Sequence, residues 1–347
     1  MTGIENVQIK QAIIHRVGNS GRGEDLKLSE KQLTLNDPDL RKMLVKYFLG
    51  AINENELYRF SHISNIELNE VYNYVSAFLK NEADFVRQSM YVSQFLYNKS
   101  SHVKIKEGEL CIVHLTGLPF EGEMVDAIGF YKSESKENFL KVFQHGKSIE
   151  IISEEGINTS KPDKACLVFK KHASDGYRVC VIDHTNKQQE AQYWVNDFLQ
   201  VQPLADSYHH TDKYLSLCKQ FVTNEYADKF EVSKSDQLEM LNRSMDYFKT
   251  RDHFNMEEFA EEVIHHPEVV DSFMQYKKNY EADRKYEFEE NFDIHLSAVK
   301  KQQKFFKSVL KLDKNFHIYI HGRRDLIEKG VDDSGRKYYK IYFEEEQ

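Results

Sequence analysis

The sequence predicts an α+β protein: an N-terminal antiparallel sheet packed with two helices, followed by a mainly helical half that ends in a small antiparallel sheet. Three observations predict it. Six short β-branched or aromatic runs crowd residues 108–184, the apolar period lengthens from about 2 to about 3.6 near Ala205, and it shortens again beyond residue 305. The 347 residues are 40% hydrophobic and include 23 Phe and 20 Tyr, enough to fill a core in each part. With five prolines, fifteen glycines and no low-complexity tract, little of the chain is left for a disordered linker. The composition shift sets the domain boundary at 203/204: residues 1–203 form the sheet domain, and 204–347 the helical domain with its C-terminal basic hairpins.

VQIKQAIIHRV and LKLSEKQLTL read as two strands joined by NSGRG, whose two glycines permit a tight turn. Asn36 or Asp37 caps the next helix, with Pro38 in its first turn and Leu40, Met43, Leu44, Tyr47 and Phe48 at helical spacing. A longer helix is expected from Asn69 to Lys99, striped by Val71, Val75, Phe78, Phe85 and Leu96. Then GELCIVHLTGL, EMVDAIGFYKS, NFLKVFQ, SIEIISEEGI, KACLVFKK and YRVCVIDH predict six strands of one meandering sheet. Trp194, the only tryptophan, and Phe198 one turn on are expected to anchor the junction by burial. Four helices follow up to Arg284, with Ser233 and Asn255 as N-caps and Pro267 in a first turn. Finally FFKSVLKL, FHIYIHG and KYYKIYF read as strands, joined through DKN and DDSG. SAVKKQQKFFKSVLK also fits a helix, with Lys300, Lys304, Lys307 and Lys311 along one stripe, so residues 297–311 stay open between helix and strand.

Several function classes lack their residues. The longest apolar runs reach about five residues, against the roughly 20 a membrane helix needs. The N-terminus has no basic segment leading into an apolar core, and Cys111, Cys166, Cys180 and Cys218 form no CxxC pair; a cytoplasmic location with reduced cysteines is expected. No GxSxG, GxxxxGK[ST] or strand-linked GxGxxG occurs, so no cofactor is expected. The fifteen histidines include no HExxH, and the pairs His209–His210 and His265–His266 point about 100° apart if helical, which disfavours a metal site. A metal-dependent nuclease is the enzyme alternative, resting on Asp126 and Glu134-Ser135-Lys136. On one continuous strand, however, those acids would stand about 26 Å apart, too far to share an ion.

Charge points to the C-terminus. Although the chain carries −9 overall, residues 297–343 hold twelve Lys/Arg against five acids, a local +7 that leaves −16 for the rest. Pairing FKSVLKL with FHIYIH across DKN gives a ribbon with Lys307, Lys311, His317, Tyr319 and His321 on one face and apolar residues on the other. Lys300, Lys304, Arg323, Arg324 and Lys337 complete a candidate surface for phosphates and bases. Phe316, Ile318, Ile320, Ile341 and Phe343 are expected to hold it to the core.

IKQAIIHRVGN at 8–19, AQYWVNDFLQV at 191–201 with the Thr of DSYHHTDKY, FKSVLKLDKNFHIYIHGRRDLIEKG at 306–330 and YYKIYFEEE at the end span nearly the whole length. Through them the chain resembles the bacterial 37-kDa nucleoid-associated protein family (NdpA/YejK-like), in the version found among Bacteroidetes-like sequences. The resemblance implies a non-catalytic protein of the cytoplasm and nucleoid that binds DNA, and it assigns no catalytic residues. The leading expectation is therefore non-specific DNA binding through the basic-aromatic surface. The alternative is a nucleoid-resident adaptor that docks another protein, such as a DNA-processing enzyme, without touching DNA. A homodimer is a further expectation, because two weak patches double up by avidity.

Overall fold

Strand β1 (Gln8–Val17) and the two-residue β2 (Leu26–Lys27) form the expected hairpin around a 3-10 turn at Ser20–Arg22, where Gly23 takes a left-handed φ of 69°. In the computed structural model, residues 4–184, 193–230, 232–284, 286–306, 308–312, 315–320 and 326–345 are described. The contacts divide the chain into two units, residues 1–204 and 205–347.

The first unit continues with α1 (Pro38–Leu49), capped by the Asp37 carboxylate, then β3 (Tyr58–Phe60), α2 (Glu70–Lys80) and α3 (Phe85–Lys99). The single helix expected over 69–99 is broken. Asn81 ends α2 and turns its side-chain oxygen to the Ala83 N–H, starting a 3-10 turn, so among the described residues three α-helices rather than two accompany the sheet. Asn69 caps α2 through the Tyr72 N–H and donates to the carbonyls of Ser61, Leu199 and Gln200, fastening the helix to the chain that enters the last strand.

Strands β4 (Gly108–Phe120), β5 (Glu123–Ser133), β8 (Lys164–Phe169), β9 (Arg178–Asp183) and β10 (Val201–Pro203) complete an eight-stranded antiparallel sheet in the order β10–β3–β9–β8–β5–β4–β1–β2. The six expected strands do not all join it. Between β5 and β8 the chain leaves as a separate ribbon, β6 (Lys136–His145) paired only with β7 (Ser148–Ile157), then returns beside β5. Alternation cannot tell a sheet strand from a ribbon strand, because both have period 2.

Both faces of the sheet are covered. On one, Ile13, Ile112, Phe130 and Val168 pack with Val75 of α2, Leu96 of α3 and Trp194; on the other, Ala12, Leu115, Tyr131 and Leu167 pack with Phe48 of α1. All six residues of β8 are consequently buried, which is why ACLVF reads as an unbroken apolar run; Lys164 is buried with them, paired with Asp183 at 2.8 Å. Trp194 and Phe198, 5.0 Å apart on a π-helical turn (Tyr193–Leu199), are fully buried as expected, and the indole Nε1 donates to the Ala165 carbonyl.

The second unit carries the four expected helical segments. They are α4 (Ser207–Gln220), running through a π turn into α5 (Ala227–Lys229); α6 (Lys234–Thr250); α7 (Met256–Phe259), extended by a π turn to Ile264; and α8 (Pro267–Arg284). Ser233 and Asp236 form a reciprocal capping box on α6, and Asn255 caps α7. A short pair, β11 (His253–Asn255) with β12 (Asn291–Asp293), precedes α9 (Leu296–Gln303). Aromatic rings fill the core: Phe254 lies 4.3 Å from Tyr214 and 4.8 Å from Phe292. Two hairpins end the unit, β13 (Ser308–Leu312) with β14 (Phe316–Ile320) and β15 (Ile327–Val331) with β16 (Lys337–Ile341).

Candidate nucleic-acid interface

The ambiguity over residues 297–311 resolves as both structures in succession: α9 stops at Gln303 and β13 starts at Ser308. Helix α9 is seated on α4. Ala298, Val299 and Gln302 are buried, and the Gln302 amide donates to the Asp212 carboxylate (2.8 Å) and the Ser216 hydroxyl (2.9 Å). That seating turns Lys300 and Lys304 outward, both exposed and without an ion pair among the described residues. Lys301 differs: it lies 3.5 Å from Asp212 and over the Tyr208 ring.

The runs SVLKL and FHIYI do pair as an antiparallel hairpin, β13–β14. Val309 faces Tyr319, Leu310 faces Ile318 and Lys311 faces His317, so Lys311, His317 and Tyr319 occupy same-face positions of the ribbon. Lys337 opens β16 opposite Val331 and is exposed. Lys307, His321, Arg323 and Arg324 lie outside the described residues. Two other cations of the segment are neutralised locally. Arg336 donates to the Asp332 carboxylate (2.8 Å), while Lys340 sits 3.9 Å from Glu328 and over the Tyr342 ring. The Arg336 backbone N–H and guanidinium hold the Asp332 carboxyl below its ordinary range.

The expected anchors are only partly anchors. Ile318 packs against the aromatic core and Phe306 is buried, but Phe316, Ile341 and Phe343 are 63%, 47% and 70% exposed. Two-stranded ribbons have no second layer of their own to bury both faces, so their outward apolar residues stay in water. Tyr339 makes a core contact in their place. One contributor escaped the sequence reading: Phe305 is 58% exposed next to Lys304, and the Lys219 ammonium sits 5.4 Å over its ring. The FF dipeptide was the available signal, since adjacent residues at a helix end cannot both face the core.

The nuclease constellation does not assemble. Asp126 faces His114 at 3.6 Å, whereas Glu134, just past the end of β5, is buried against Lys132 (2.9 Å) and the Tyr193 hydroxyl (3.1 Å). His210 is occupied by the Tyr286 hydroxyl (2.9 Å), and burial lowers its pKa. Among the described residues no group of three or more His, Cys, Asp or Glu is placed to hold a metal ion. The threonine of DSYHHTDKY, Thr211, is structural: its hydroxyl donates to the Ser207 carbonyl and accepts from the His295 N–H.

No curated protein matches the chain. A profile of the family NA37, described as nucleoid-associated protein YejK, matches residues 13–336, all but the two ends. That family is a class of nucleoid-associated proteins rather than of enzymes. With this coverage, the chain belongs to the NA37 family of YejK-type bacterial nucleoid-associated proteins.

Proposed function

We propose that the protein binds DNA without sequence preference, through the C-terminal surface made by α9 and the two terminal hairpins, and that it does so in the bacterial cytoplasm, on the nucleoid. The observation that carries this reading is the exposure of three lysines, Lys300, Lys304 and Lys337, in the same C-terminal segment as a ribbon whose register sets Lys311 opposite His317. Such a surface contacts phosphates more than base edges, so it positions rather than discriminates. Exposed Tyr338 and Phe305 add flat rings on which unpaired bases stack.

The test is fluorescence anisotropy of a labelled duplex against the full chain at two salt concentrations. With about five phosphate contacts, affinity falls roughly 500-fold between about 50 and 200 mM salt. Reversing Lys300, Lys304 and Lys337 to Glu lowers affinity and flattens the salt slope by about one unit per lost contact. Adding Lys307, Lys311, Arg323 and Arg324 reversals abolishes binding.

A second reading has its own observation. Arg336 and Lys340 are neutralised, while Phe316, Ile341, Tyr342 and Phe343 stand exposed on the same terminal segment, a surface suited to docking another protein such as a DNA-processing enzyme. Absence of duplex binding at low salt would favour this adaptor role over direct contact.

A further inference from the structure

The ribbon β6–β7 has two unlike faces. Register places Phe139, Lys141 and His145 on one face with Glu150, Ile152 and Glu154, where Lys141 pairs with Glu154 (3.1 Å) and His145 with Glu150 (3.0 Å). Phe143, opposite Glu150, lies on it too, so on this face the apolar side chains are interleaved with ion pairs. The other carries Leu140, Val142, Ile149, Ile151 and Ile157, exposed by 69%, 63%, 79%, 60% and 37%, with Val142 directly opposite Ile151, and bears Asn138, Gln144, Ser153 and Glu155 around them. Its one lysine, Lys136 at the base, is tied to Glu109.

We propose that this aliphatic face is the homodimer interface: two copies of the chain pack their ribbons face to face about a twofold axis near Val142 and Ile151. Charge argues for a second copy over other occupants. The ribbon 136–157 carries three lysines against four glutamates, and the aliphatic face offers no free cation, so it does not attract phosphate. The one exposed carboxylate on the face, Glu155 opposite Asn138, stands toward the base and away from an axis near Val142 and Ile151, so a twofold copy does not set it against itself, as an isologous contact requires. Area agrees as well. At the stated exposures the five side chains leave roughly 500 Å² of aliphatic surface in water, at the upper end for a monomer's largest patch. Two such faces bring together about 1,000 Å², the lower bound for a specific interface. Packing them aligned gives the ribbon the second layer that a lone hairpin lacks in water.

The experiment is sedimentation equilibrium of the full chain up to on the order of 100 μM, with Val142→Glu and Ile151→Glu as variants and Phe139→Ser, on the ion-paired face, as control. Wild type and control are expected at twice the 41.0 kDa chain mass. Each glutamate variant weakens association by roughly 100-fold or more, because the symmetry buries two carboxylates in one apolar contact. Trp194 fluorescence unchanged from wild type shows that the first unit is still folded. A wild-type chain that stays monomeric overturns the proposal, as does a dimer that survives both glutamates. Amide protection of residues 138–155 that appears only with added duplex also overturns it, since the face would then belong to a DNA complex.

Discussion

Lys132 and Glu134 form a buried ion pair whose removal is predicted to be strongly asymmetric. The Lys132 ammonium donates to the Lys106 carbonyl (2.7 Å), the Glu134 carboxylate (2.9 Å) and the Tyr193 hydroxyl (3.2 Å), and the two charged side chains are 0% and 4% exposed. Burial lowers the lysine pKa, and the nearby Glu134 opposes that shift. Lys132→Met leaves Glu134 buried with only the Tyr193 hydroxyl, at a cost of about 3–5 kcal/mol. For a unit of this size that lowers the melting temperature by roughly 6–20 °C. Lys132→Met with Glu134→Leu removes both charges and recovers most of the loss, since a buried pair replaced by apolar residues is often neutral. Trp194, the only tryptophan and adjacent to Tyr193, reports unfolding of the first unit alone. The reasoning fails if the single variant costs under about 1 kcal/mol, or if the double variant is as unstable as the sum of its parts.

Acid should weaken the first unit through His15, which is 1% exposed, bonded to the Ser89 hydroxyl and accepting the Ser29 N–H, its pKa lowered by burial from 6.5 to about 4. The unfolded chain takes up the proton first, so this contribution is complete above pH 6.5. It is lost as pH falls toward 4, by on the order of 3 kcal/mol; His15→Gln should flatten that slope in urea titrations followed by Trp194. Asn69→Ala removes a cap and three donated bonds at a fully buried position and should cost about 2–4 kcal/mol by the same assay. Gly176→Ala adds a Cβ 2.4 Å from the Phe60 carbonyl at a φ of 83°, and should loosen β3 from β9, seen as faster amide exchange at Phe60.

Local chemistry made much of the fold legible. Asp37–Pro38, Ser233, Asn255 and Pro267 mark helix starts because caps and prolines act within one turn. What escaped depends on partners distant in sequence. The break at Asn81 follows a side-chain bond that helical periodicity does not encode, and the excursion of β6–β7 is visible only once β8 returns to β5. Nothing local marks Lys132 and Lys164 as buried; the register sets them opposite each other, with Glu134 beside Lys132 and Asp183 beside Lys164. For the candidate interface, alternation gave the common face of Lys311, His317 and Tyr319, while the outward turn of Phe316 and Phe343 follows from the lack of a second layer over the hairpins.

The pairing of β3 with β10 joins Tyr58 to Pro203, strands about 140 residues apart in the chain. At about 5–20 residues per second on the ribosome, β3 waits roughly 7–30 s for its edge partner to be synthesised. During that interval the growing sheet lacks its closing edge, so nascent chains of this protein should depend on chaperone cover until residue 203 has left the exit tunnel.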